Sequence, residues 1–145
     1  MPTINRSALV PYEPEKLYAL VDDIQRYPEF LPWCVEATEL SRDEDEVVAT
    51  IALAKGSLKK SFTTRNRLKH GKMIEMRLVD GPFKHLQGFW RFDALKADAC
   101  KVALDLDYEF SSKVVALAIG PVFNQVANTL VDAFVERARE IYRDG

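Results

Sequence analysis

Apolar positions along the chain recur with two periods, and the switches between them outline its elements. Val102, Leu104, Leu106, Tyr108 and Phe110 lie on one side of a period-two run, opposite Ala103, Asp105, Asp107 and Glu109. Large apolar groups facing acids in this way mark a strand with one buried face and one wet face. The preceding run repeats the pattern, with Leu86, Gly88, Trp90, Phe92 and Ala94 opposite Gln87, Arg91 and Asp93. Phe89 interrupts its polar side and is expected near an end of the sheet. Val35 to Arg42 and Glu46 to Ala54 flank the acidic tip Asp43-Glu44-Asp45. Leu58 to Leu68 and Met73 to Val79 flank His70-Gly71, and both arrangements predict hairpins. Thr3 to Val10 reads as a first strand, with Ile4, Ala8 and Val10 on one side and Pro11 closing it.

Helical periods bracket this series. Pro14 suits a first turn, and Leu17, Leu20, Val21 and Ile24 then share a stripe to about Ile24. From Ser112 to about Tyr142 a continuous stripe runs through Ile119, Phe123, Val126, Ala127, Leu130, Phe134, Ala138 and Ile141. Gly120-Pro121 either kinks one long helix or marks the start of the main one. The predicted order is strand, helical segment, six strands, long helix. This is an α+β chain whose seven-stranded antiparallel sheet needs the long helix to cover its apolar face. A curved sheet around one helix encloses space that is either filled by side chains or open to an apolar guest.

Composition narrows the picture. The chain has 145 residues, 48% hydrophobic and 29% charged, with a net charge of −2, so no whole-molecule field points to nucleic acid. We place no domain boundary within residues 1–145, because no repeat or low-complexity linker divides them. Cys34 and Cys100 have no metal-type neighbours and fit free thiols in a reducing compartment. No signal-peptide pattern opens the chain, and no uninterrupted apolar run approaches the ~18 residues that span a bilayer. A cytoplasmic protein is expected, with peripheral contact at the inner membrane left open.

Several segments in family order carry a resemblance: Tyr27-Pro28-Glu29-Phe30-Leu31-Pro32-Trp33-Cys34, Phe62-Thr63-Thr64-Arg65-Asn66, Leu78-Val79-Asp80-Gly81-Pro82-Phe83-Lys84, Trp90-Arg91-Phe92, and Ala133-Phe134 with Arg137-Ala138. None is a catalytic signature. Together they resemble the coenzyme Q-binding, START-like proteins of the polyketide cyclase/dehydrase-like superfamily, which include the bacterial RatA-type ribosome-association proteins. The resemblance implies a helix-grip (START/Bet v 1-like) fold with a hydrophobic tunnel. It implies non-catalytic binding of ubiquinone or a similar polyprenyl lipid, in support of respiratory electron transfer. For the RatA-type members it implies instead contact with the large ribosomal subunit and blocked subunit association.

Three sets of residues are candidates for function. The inward faces bring together Phe62, Asn66, Met76, Leu78, Trp90, Phe92, Leu106, Tyr108, Phe123, Leu130 and Phe134 as ligand contacts, although a packed core would use the same residues. Asn66, Thr64 and Lys60 share the parity of Phe62 and Leu68, and one of them is a candidate partner for a quinone carbonyl or head group. An inward Asn66 buried without a partner would cost about 1–3 kcal/mol, and the alternative is that it is wet at a strand end. Phe30, Leu31, Trp33 and Phe83 are expected to frame the tunnel mouth, for ligand access or membrane docking. The alternative is that Phe30 and Trp33 staple the short turn to the sheet.

The third set is basic. Between Lys55 and Arg77, eight bases face one acid, Glu75. Lys59, Arg65 and Arg67 share the outward parity of their strand, a face suited to anionic lipid or RNA phosphate. It lacks the interleaved aromatics of base-stacking surfaces. The plainer alternative is a solvated face balanced by Asp105, Asp107 and Glu109. His70 and His85 have no partner at metal-ligand spacing, and no phosphate loop or nucleophile elbow occurs. The expectation is a protein that is not an enzyme and requires no metal or cofactor.

Overall fold

The computed structural model describes residues 3–142. Strand β1 (Thr3–Val10) leads to helix α1 (Pro14–Asp22) and a 3-10 turn (Ile24–Glu29). Six strands follow: β2 (Cys34–Arg42), β3 (Glu46–Lys55), β4 (Leu58–Lys69), β5 (Met73–Asp80), β6 (Phe83–Lys96) and β7 (Ala99–Phe110). Helix α2 (Lys113–Tyr142) closes the fold. The strands form one seven-stranded sheet in the order β1-β7-β6-β5-β4-β3-β2, antiparallel throughout. This is the helix-grip arrangement expected from the alternation of β7 and the stripe of α2.

Register aligns the apolar faces. Trp90 lies opposite Leu104, Leu86 opposite Tyr108, and Gly88 opposite both Leu106 and Met76. Gly88 is required by close approach, since a Cβ there would meet the Asp105 carbonyl at 2.2 Å. Gly71 turns β4 into β5 with φ +74°, a conformation that suits a residue without Cβ.

Three expectations change. Phe89 is not near an end of the sheet. It sits mid-sheet on the outer face, opposite Glu75 and Asp105, because strict alternation along β6 leaves it no other side. Ile141 is 48% exposed and lies off the core, while Val131, outside the expected stripe, is buried. The first helix ends at Asp22, and Ile24 belongs to the 3-10 turn.

The Gly120-Pro121 question is resolved in favour of one helix. The chain is helical from Lys113, with Ser112 Oγ accepting from the Val115 amide at 3.2 Å as an N-cap. Its 30 residues run roughly 45 Å at 1.5 Å each. By length and hydropathy alone α2 could cross a membrane, contrary to the expectation from uninterrupted runs. Its inward residues Phe123, Ala127, Val131 and Phe134 are nonetheless buried in the fold.

The helix packs on β1, β7 and α1. The core therefore divides into two clusters. One gathers Leu17, Tyr27, Trp90, Phe92 and Phe134, and the other Phe83, Leu106, Tyr108, Ile119 and Phe123. Trp33 and Met76 touch both.

Candidate functional site

A small cavity lies at the seam between the two clusters, with a volume of about 80 Å³. Of the eleven candidate ligand contacts, Phe62, Asn66, Met76, Trp90, Leu106, Phe123 and Leu130 line it. Leu78, Phe92, Tyr108 and Phe134 do not, and ring packing explains the last three. Phe134 meets Tyr27, Phe30 and Trp90 at 5.4, 5.3 and 5.3 Å between centroids. Phe92 packs against Tyr18, and Tyr108 against Phe123. Leu78 is half-buried at the Phe62 end. Tyr27, Ile24, Ala49 and Ile51 line the cavity too. Ile51 and Ala49 were legible as alternate positions of β3. Ile24 was legible as the last residue of the first helical stripe, whereas Tyr27 sits on the 3-10 turn, where no simple period applies.

Thr64 and Asn66 give this apolar space its polar patch. Both are buried, and Thr64 Oγ1 donates to Asn66 Oδ1 at 2.9 Å. The bond satisfies the carbonyl of an amide that would otherwise be costly to bury. Tyr108 donates its hydroxyl to Asn124 on α2, and Tyr27 donates to the Val21 carbonyl. Burial raises the phenol pKa of both tyrosines.

The expected mouth is built differently from the expectation. Leu31 and Trp33 line an outer groove of about 550 Å³ between the 31–33 loop, the end of β3 and α2. Trp33 and Val126 line both the groove and the cavity, so they form the wall between them. Phe30 does not frame the mouth. It packs edge-to-face against Phe134, and the Arg137 guanidinium lies 4.9 Å from its ring centroid. Phe83 is buried among Phe62, Phe110 and Phe123. Aromatic rings beside a packed core find ring partners before they find water.

On the opposite face of the sheet, Lys59, Arg65 and Arg67 are exposed along β4, as their parity predicts. Arg65 pairs with Glu46 at 3.2 Å, whereas Lys59 and Arg67 have no ion-pair partner among the described residues. The acids of β7 do not balance this strand. Asp105 pairs with Arg91 at 3.0 Å, and Glu109 lies 3.7 Å from Lys84. His85 Nε2 lies 3.6 Å from Asp107, outside hydrogen-bond range, and is buried without a partner. The outer face is thus polarised, with acids engaged at β7 and free bases at β4. No group of three or more His, Cys, Asp or Glu side chains able to hold a metal occurs among the described residues.

A long helix gripped by a seven-stranded sheet over a seam of apolar residues defines a START-type helix-grip protein. The chain belongs to the family described as polyketide cyclase/dehydrase and lipid transport, whose profile matches residues 10–135. It is 50% identical over 139 residues to the ribosome association toxin RatA of Pseudomonas aeruginosa, covering 96% of each chain. It is 27% identical over 135 residues to a mitochondrial coenzyme Q-binding protein of Dictyostelium discoideum, covering 90% of this chain and 66% of that one. Among solved structures it resembles the Zhui aromatase/cyclase of Streptomyces sp. R1128, with a TM-score of 0.81, 16% identity and coverage of 99% and 98%. A START superfamily protein of Mycobacterium smegmatis gives a TM-score of 0.80 at 17% identity, with coverage of 96% and 98%. These two likenesses show the fold.

Proposed function

We propose that the chain binds the large ribosomal subunit through the outward bases of β4 and keeps the subunits apart, acting in the cytoplasm without catalysis. The observation that carries this reading is the 50% identity to a ribosome association toxin along 96% of both chains. The surface chemistry supports it. Lys59 and Arg67 are exposed and free of ion pairs among the described residues, so an RNA phosphate would displace water and counterions rather than a carboxylate. With a net charge of −2, such binding would rest on a local basic face and not on the field of the whole molecule.

The test is co-sedimentation of purified protein with large subunits at low salt. Binding is expected, and reversing Lys59, Arg65 and Arg67 to Glu together abolishes it while leaving the circular dichroism spectrum unchanged. Unaltered binding by the reversed variant would refute the assignment to β4.

A second reading is a polyprenyl quinone or other lipid held in the helix–sheet interior. Trp33 favours it, because with Val126 it lines both the groove and the cavity, so movement of these two side chains would open one to the other. The cavity argues against it as the main reading, since about 80 Å³ lies well below the roughly 300–1,000 Å³ of small-molecule sites. Mass spectrometry of lipid extracted from the native protein separates the two, a stoichiometric quinone supporting the lipid reading.

A further inference from the structure

The first turns of α2 are apolar on every side. From Val114 to Val131 no charged residue occurs. Ile119, Gly120 and Phe123 are buried against the sheet, yet Val114, Leu117, Ala118 and Pro121 form a second stripe, at i, i+3, i+4 and i+7, that faces outward. Val114 is 77% exposed and Leu117 82%. Over an 18-residue stretch this helix is apolar enough to cross a membrane, yet only 33% of that stretch is buried. A helix apolar all round normally has partners all round. This one lacks them on its outer side.

Charge says what fits there. The turns at this end of the sheet meet one another: Ser111 donates its amide to the Pro82 carbonyl at 3.1 Å, and Lys55 reaches Gln125 of α2 at 3.3 Å. Lys84 and Lys113 line a common hollow beside the start of α2. Lys55, Lys59 and Lys60 flank the β3–β4 turn, so five lysines stand here against Asp80 and Glu109. Val79, beside the β5–β6 turn, adds a further exposed apolar group. The positive end of the α2 dipole points the same way. Lysines around exposed aliphatic side chains complement a surface that is anionic outside and apolar a few ångströms in. A second copy of this chain would set lysine against lysine. RNA would leave Leu117 and Val114 with nothing to bury.

We propose that this end of the molecule docks on an anionic lipid bilayer, with Val114 and Leu117 reaching the acyl boundary and the lysines among the headgroups. The surface meets the outward face of β4 at Lys59, and Arg65 and Arg67 lie outside it. The test is sedimentation of the full chain with vesicles of phosphatidylcholine alone and of phosphatidylcholine mixed with phosphatidylglycerol. Binding is expected only to the mixed vesicles, falling as salt rises. Lys84→Gln and Lys113→Gln should each weaken it about fivefold. Val114→Asp with Leu117→Asp should weaken it more than about tenfold, with the melting temperature and ribosome co-sedimentation unchanged. Three results would overturn the proposal. One is no binding to the mixed vesicles. Another is equal binding by the double aspartate variant. The third is a wild-type dimer in ultracentrifugation that the double variant breaks, which would give the patch to a second copy.

Discussion

Cys34 and Cys100 are buried, and burial pushes each thiol from about 9 up to about 11. The native chain therefore holds little thiolate at neutral pH, and both thiols should react with Ellman's reagent only as fast as the chain opens. Rapid stoichiometric labelling of native protein would contradict this. The same shift has a sign in stability. Because the unfolded thiols ionise first, their contribution is whole below about pH 9 and is lost as pH rises towards 11. Glu39 works in the other direction. Its hydrogen bond from Arg42, with 2.8 Å between Nη2 and Oε2, lowers its pKa, so its contribution is present above the ordinary carboxylate range and lost on acidification. Glu39→Gln should flatten the acid limb of a stability–pH curve. Residue-level patterning went far at Asn66, where parity alone set the side chain inward and called for a partner, which Thr64 provides. It went less far at Phe92, Tyr108 and Phe134. Alternation tells which face a side chain takes, and not whether a neighbouring ring has already filled the space.

At the scale of elements, α2 carries most of the consequences. Gly120 lies in its interior, and a Cβ there would stand 3.6 Å from the Phe110 ring, an ordinary contact. Gly120 nevertheless precedes Pro121, whose Cδ crowds a Cβ on a helical neighbour, so Gly120→Ala should destabilise the protein even though the core side has room for the methyl. A higher midpoint in thermal or urea denaturation would show that the helix does not need this glycine. Phe134→Ala should cost about 3–5 kcal/mol, since the ring is 1% exposed and holds Tyr27, Phe30 and Trp90 together. The sequence left the start of α2 open, because proline at a first turn and proline within a kinked helix look alike locally. The cap at Ser112, two turns upstream of Pro121, is what separates them. The strands were more legible than the helix, since period two survives a small error at either end. Phe89 is instructive here. Its place on the outer face follows from the alternation of β6, and only the assumption that exposed phenylalanine belongs at a sheet end pointed elsewhere.

The whole molecule divides its labour by face. One face of the sheet grips α2 around a small seam, and the other carries acids engaged at β7 and free bases at β4. The fold class was legible because it depends on periods distributed over the entire chain. The proposed binding face was only half legible. Parity identified Lys59, Arg65 and Arg67, but pairing of Asp105 with Arg91, and not with β4, depends on strand order. If these three bases neutralise about three phosphates, the logarithm of the binding constant should fall with the logarithm of salt with a slope of about −2 to −3. A slope near zero would mean contact through apolar surface instead. The most direct measurement is a sucrose gradient of equimolar ribosomal subunits, under conditions where they couple, with the protein added in excess. The protein should migrate with the large subunit while the coupled peak gives way to free subunits, and the charge-reversed β4 variant should leave that peak intact. A coupled peak unchanged by the wild-type protein, with the protein at the top of the gradient, would contradict the ribosomal role.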